Sequence, residues 1–119
     1  KLASRLPHAK LTDVAMQFGI GVDFTMAGAT TNSGEVQPAT SDALQVENSI
    51  GQGQVRTSPF GMAVAAATVA SGKAITPMLL RGTETAVGEN RSAPPAGVTR
   101  ALRAMVREVV TNGTATALG

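Results

Sequence analysis

Seven serines and one histidine are the first residues of this 119-residue chain to weigh as nucleophile or proton carrier, because it has no cysteine. A serine becomes a nucleophile only beside a base, and on a helix a lysine three residues later places its amine next to the hydroxyl. Ser4, Ser33, Ser41, Ser49, Ser58, Ser71 and Ser92 all lack a lysine at that spacing. His8 stands alone near a helix start, where a surface or capping role is the ordinary one. No set of His, Cys and carboxylate residues has metal-ligand spacing, so neither a metal nor a cofactor is expected. Gly51-Gln52-Gly53 has the look of a phosphate loop but lacks a third glycine, a Lys-Ser/Thr pair and a helix opening directly from it. Taken alone, the chain is not expected to be an enzyme.

The elements that position these residues follow from periodicity and punctuation. Leu11, Val14, Ala15 and Phe18 recur at helical spacing and predict an amphipathic helix over about 8–18, stopped by Gly19. Leu2 and Leu6 suggest the end of an earlier helix that Pro7 closes. Residues 28–54 are rich in Gly, Thr, Ser, Asn and Gln, which predicts a long loop with a short hairpin near Glu35 and Val46. Ser58 as cap and Pro59 at the first helical position open a helix over 58–70. That helix is apolar on all sides, which predicts burial all round. Residues 74–81 read as a strand that Pro77 confines to an edge or a strand start. A last helix is predicted over 98–112, capped by Thr99 if it starts late and stopped at Asn112-Gly113. Its apolar stripe is Val98, Leu102, Met105, Val106 and Val109, with Arg100, Arg103 and Arg107 on the other side.

Composition bounds what these elements can build. The length suits one domain and is too short for two. Leu, Ile, Val and Phe number 26 of 119, and there is no Trp or Tyr, so the core material is thin. A chain so composed is expected to pack against further protein, by dimerising, by swapping an element or by joining other parts of a larger chain. The net charge is only +2 with scattered basic residues and no aromatic stacking platform, which argues against nucleic acid as a partner. The most apolar run, 60–70, is too short to span a bilayer.

Four separated signals resemble the transpeptidase domain of class B penicillin-binding proteins. Ser49-Ile50-Gly51-Gln52-Gly53, then Thr57-Ser58-Pro59-Phe60-Gly61-Met62-Ala63, resembles that family's S-I-G-Q-G run followed by T-P-x-Q-M-A. Phe18-Gly19-Ile20-Gly21 is similar to the F-G-F/I-G that precedes it, and Ile75-Thr76-Pro77 to the strand that follows. Gly113-Thr114-Ala115 is similar to the G-T-A turn leading to the family's K-T-G strand. Two departures stand out: a serine sits between Thr57 and Pro59, and Gly61 replaces the usual glutamine. The resemblance implies a mixed α/β, mainly helical fold, part of the penicillin-binding transpeptidase or serine β-lactamase-like fold and incomplete without its central sheet. It places this chain between the S-x-N and K-T-G motifs, with the S-x-x-K nucleophile outside it. Ser49, Ile50, Gly51, Gln52, Gly53, Thr57, Pro59, Met62, Ala63, Gly113, Thr114 and Ala115 are then family-motif positions with structural roles. The implied parent is a D,D-transpeptidase acting through an acyl-serine on the extracytoplasmic side of the bacterial inner membrane. Its partners would be peptidoglycan stem peptides, β-lactams and the remainder of the domain. A β-lactam sensor, a serine β-lactamase-like protein and a non-enzymatic helical interaction module are the alternatives.

Overall fold

The computed structural model describes residues 3–88 and 91–118. Leu2, assigned above to an earlier helix, lies outside them; a 3₁₀ turn at Ala3–Arg5 precedes Leu6. Helix α1 (Lys10–Gln17) leaves Leu11, Val14 and Ala15 half-buried, and Phe18 closes it with its N–H on the Ala15 carbonyl. Strand β1 (Phe24–Met26) turns through Gly28 into β2 (Ala29–Thr30), and on its other edge pairs with β5 (Ala86–Val87). Both pairings are antiparallel, with Thr25 opposite Thr30 and Phe24 opposite Val87.

The second sheet is a separate ribbon of β3 (Gly34–Val36) and β4 (Val55–Thr57), with Glu35 opposite Arg56. Between its strands lies α2 (Asp42–Ser49). This corrects the long loop over 28–54: it contains β2, β3 and a two-turn helix, and Glu35 pairs with Arg56 rather than folding near Val46. Helix α2 escapes hydrophobic periodicity because its buried residues are the polar Gln45 and Asn48. Its one clear signal is Ser41, whose side chain accepts from the Leu44 N–H at 3.2 Å.

Helix α3 (Pro59–Ser71) starts on the Ser58 cap and ends on Gly72 at φ 73°. The expectation of burial all round is corrected. Only Gly61, Val64 and Thr68 are buried, and Met62 is 53% exposed. An apolar helix needs neighbours on every side, and here the first sheet and α4 cover only part of it. The strand expected over 74–81 is also absent among the described residues: the segment pairs with no other, and Met78, Leu79 and Leu80 are exposed. Extended backbone becomes a strand only beside a partner, and the neighbour of β1 is β5 instead.

Helix α4 (Ala96–Thr111) follows Pro95 as its N-cap and begins two residues before the expected start. Thr99 is inside the first turn rather than capping it, buried, with its hydroxyl donating to the Ala96 carbonyl at 3.1 Å. Arg103 does not face away from the apolar side; its Nε donates to the Val69 carbonyl at 2.7 Å, satisfying one of the last carbonyls of α3.

The core that results is small. Val22, Phe24 and Val64 form its centre, with Met16, Phe60 and Val87 packed around them. The Phe24 and Phe60 rings meet edge to face at 5.9 Å.

Candidate functional site

The motif residues 49–63 form one continuous strip, from the end of α2 through a turn and β4 into the first turn of α3. Ser49 closes α2 with its hydroxyl donating to the Val46 carbonyl at 2.7 Å, and Ile50 follows, 73% exposed. The turn then wraps around the side chain of Asn48. That side chain is buried, and its Oδ1 accepts from the Gln54 N–H at 2.9 Å. The Gln52 N–H reaches back to the Glu47 carbonyl at 3.0 Å, while its side chain is exposed. Gly53 sits at φ 63°, and a Cβ there would lie 2.6 Å from Asn48 Oδ1 and 3.1 Å from Leu44. Two constraints therefore select glycine at this position, a left-handed backbone and the close Asn48 amide.

Beyond the turn, Thr57 lies opposite Gly34 in the ribbon. Ser58 joins the ribbon to α3 with both capacities of its hydroxyl: it accepts from the Gly61 N–H at 3.0 Å and donates to the Asn32 carbonyl. Pro59 is the first helical residue. Gly61 faces the backbone of Ser33, where a Cβ would fall 2.7 Å from the Ser33 carbonyl carbon. This contact accounts for a glycine where the family resemblance leads one to expect a glutamine. Met62 and Ala63 are exposed on the next positions.

Gly113, Thr114 and Ala115 lie elsewhere, folded back on the C-terminal end of α4, with the Ala115 N–H on the Val109 carbonyl at 3.2 Å. Among the described residues no hydrogen bond joins them to the strip around Gly51. The structure therefore brings together the motif residues of 49–63 and leaves those of 113–115 apart.

Several residues that hold this region give little warning in sequence. Ser33 is buried, and its hydroxyl accepts from the Val22 N–H at 2.9 Å while donating to the Val22 carbonyl at 2.8 Å. Arg91 stacks over the Phe24 ring at 5.1 Å and donates to the Ile75 carbonyl. Burial lowers its guanidinium from the ordinary value. His8 pairs with Asp42 at 3.0 Å, tying the entry of α1 to the start of α2.

Chemically, the serine hydroxyls of the strip, and that of the neighbouring Ser33, are engaged with main-chain groups: Ser33, Ser49 and Ser58 each donate to a carbonyl. Such groups cap and staple. Two of the concave surfaces nearby are lined mainly by apolar side chains. A cavity of about 280 Å³ lies among α1, the ribbon and α3, with Asn48 the polar side chain in its wall. A groove of about 610 Å³ runs between α3 and α4.

Comparison with known proteins gives one family. The model of the penicillin binding protein transpeptidase domain matches residues 1–119. No curated protein and no solved structure matches the chain.

Proposed function

Because this chain belongs to the penicillin-binding protein transpeptidase domain family, we propose that it is the class B segment lying between the S-x-N and K-T-G motifs of a peptidoglycan D,D-transpeptidase. The observation that carries this reading is the strip 49–63. Its Gly-Gln-Gly turn, Ser58 cap and small-residue helix follow in the order the class B resemblance implies, on one unbroken path. In this reading the segment is a scaffold. The nucleophilic serine and its lysine are supplied by the remainder of the domain, and the acyl-serine that joins stem peptides, or that β-lactams trap, forms there. The remainder of the domain, including its central sheet, is the segment's principal partner.

The proposed location is the extracytoplasmic side of the inner membrane, with any anchor held by another part of the protein. Among the described residues no helix is long and apolar enough to cross a membrane.

The test is covalent labelling by a fluorescent penicillin, read after denaturation. The 119-residue chain is expected to take no label. A longer product of the same reading frame that contains an S-x-x-K serine is expected to take one equivalent, lost on Ser→Ala at that serine. Stoichiometric label on the short chain, or none on the longer one, would overturn the assignment. Label followed by rapid hydrolysis would favour a β-lactamase-like protein instead.

A further inference from the structure

Four asparagines occur in the chain, and the fold places them differently. Asn32 accepts from the Gly34 N–H at 2.9 Å, and the residue after it, Ser33, is buried with its hydroxyl bonded to Val22. Asn48 is 3% exposed and lies inside α2, with Ser49 following as the last residue of that helix. Asn90 lies outside the described residues. Asn112 is exposed at the end of α4 and is followed by Gly113, which is exposed as well.

An asparagine side chain reacts with its own main chain when the nitrogen of the next residue reaches its Cγ. Three features favour this at Asn112. The Gly113 N–H has no hydrogen-bond partner among the described residues, so nothing withholds the attacking nitrogen. Glycine has no side chain to obstruct the approach. The carboxamide is held at the surface by a long bond, 3.3 Å from Nδ2 to Thr111 Oγ1. A separate demand fixes glycine here: a Cβ on Gly113 would fall 2.7 Å from the Val109 carbonyl oxygen and 2.8 Å from the Val109 Cα. The packing that selects glycine therefore keeps the reactive pair together.

Asn112 stands at φ −136° and ψ −3°, which turns the Gly113 nitrogen away from the side chain. Ring closure needs ψ to swing by roughly a third of a turn, because side chain and main chain branch tetrahedrally from Cα. The Ala115 N–H bond to the Val109 carbonyl, 3.2 Å long, and the Gly113 contact with Val109 resist that swing. The Asn112 N–H bond to the Glu108 carbonyl at 2.8 Å precedes the rotating bond and stays in place.

We infer that Asn112-Gly113 is a site of spontaneous covalent modification, deamidation through a succinimide. The Gly113 nitrogen gives its proton to solvent base and bonds to Asn112 Cγ. The Cγ–Nδ2 bond then breaks, and ammonia leaves with a proton taken from water. Water opens the ring at either of its carbonyl carbons, releasing the Gly113 nitrogen from the one attacked and giving aspartate or isoaspartate. Either product lowers the formal net charge of +2 by one. The isoaspartyl form also adds a methylene to the main chain just ahead of Gly113-Thr114-Ala115. None of this depends on the family reading.

The test ages the 119-residue chain in warm, mildly alkaline buffer beside a free peptide of residues 108–117, and maps the products by mass spectrometry. Both are expected to exchange amide for acid at Asn112, with the aspartate and isoaspartate forms separated by chromatography. In the chain, Asn112 should react at least about fivefold faster than any other asparagine. Its rate should lie within about tenfold of the peptide's, because one exposed hydrogen bond and one backbone contact oppose the swing. Asn112→Gln, which would have to close a larger ring, should lose the modification while keeping the far-UV circular dichroism of the parent chain. No reaction at Asn112, a smaller margin over the other asparagines, a chain rate below that range, or modification undiminished in Asn112→Gln would each overturn the inference.

Discussion

At the residue scale, the glycines of the strip separate by what surrounds them. Gly51 and Gly53 both have positive φ, but only Gly53 has neighbours that a side chain would meet. Alanine in the left-handed region costs roughly 1–2 kcal/mol, so Gly51→Ala should cost about that much. Gly53→Ala should cost at least about 1 kcal/mol more, because the Asn48 amide must move as well. Gly61→Ala is sharper, since intrinsic propensity favours alanine inside a helix by about 1 kcal/mol. Contact with the Ser33 backbone should reverse that sign and leave the variant destabilised by about 1–3 kcal/mol. Hydrogen exchange at the N–H groups of α3 and of Gln54 reads each of these as a change in local opening. The family resemblance marked Gly51 and Gly53 as motif positions, and Ser58-Pro59 was legible as a helix start. Nothing in the sequence pointed to the Ser33 approach to Gly61, because that contact joins residues 28 positions apart and needs no unusual residue type on the Ser33 side.

At the element scale, the helices with apolar faces or strong caps were legible, and the elements organised by polar groups were not. Helix α3 announced itself through Ser58, Pro59 and the Ser71-Gly72 stop, all seen in its caps. Helix α2 buries Gln45 and Asn48 instead, so no hydrophobic stripe marks it. Its anchor is the Asn48 Oδ1 bond to the Gln54 N–H. Asn48→Ala leaves that donor without its partner and should cost about 1–3 kcal/mol. It should also raise exchange at Gln54 by at least about fivefold, with the N–H groups of α4 unaffected. The strand expected over 74–81 failed for a different reason: apolar residues were read as strand-forming, but a strand also needs an edge to pair with, and composition carries no information on that. Residues 78–80 are consequently exposed.

At the scale of the whole molecule, the mixed α/β, mainly helical class was readable from the sequence, as was the thinness of the core. Three residues, Val22, Phe24 and Val64, form its centre. Met62, Met105, Val106 and Val109 are all exposed by 46% or more. Each large apolar side chain left in water forgoes roughly 1.5–3 kcal/mol, and a few of them equal the stability of a typical small domain. In the proposed reading the chain is a structurally dependent part of a larger transpeptidase domain. Hydrogen exchange across α4 tests this most directly, comparing the 119-residue chain at micromolar concentration with a longer product of the same reading frame. The N–H groups of Leu102 to Val110 are expected to exchange at nearly unprotected rates in the short chain and at least about a hundredfold more slowly in the longer one. A monomeric short chain that protects α4 as strongly as the longer protein, and melts cooperatively, would contradict it.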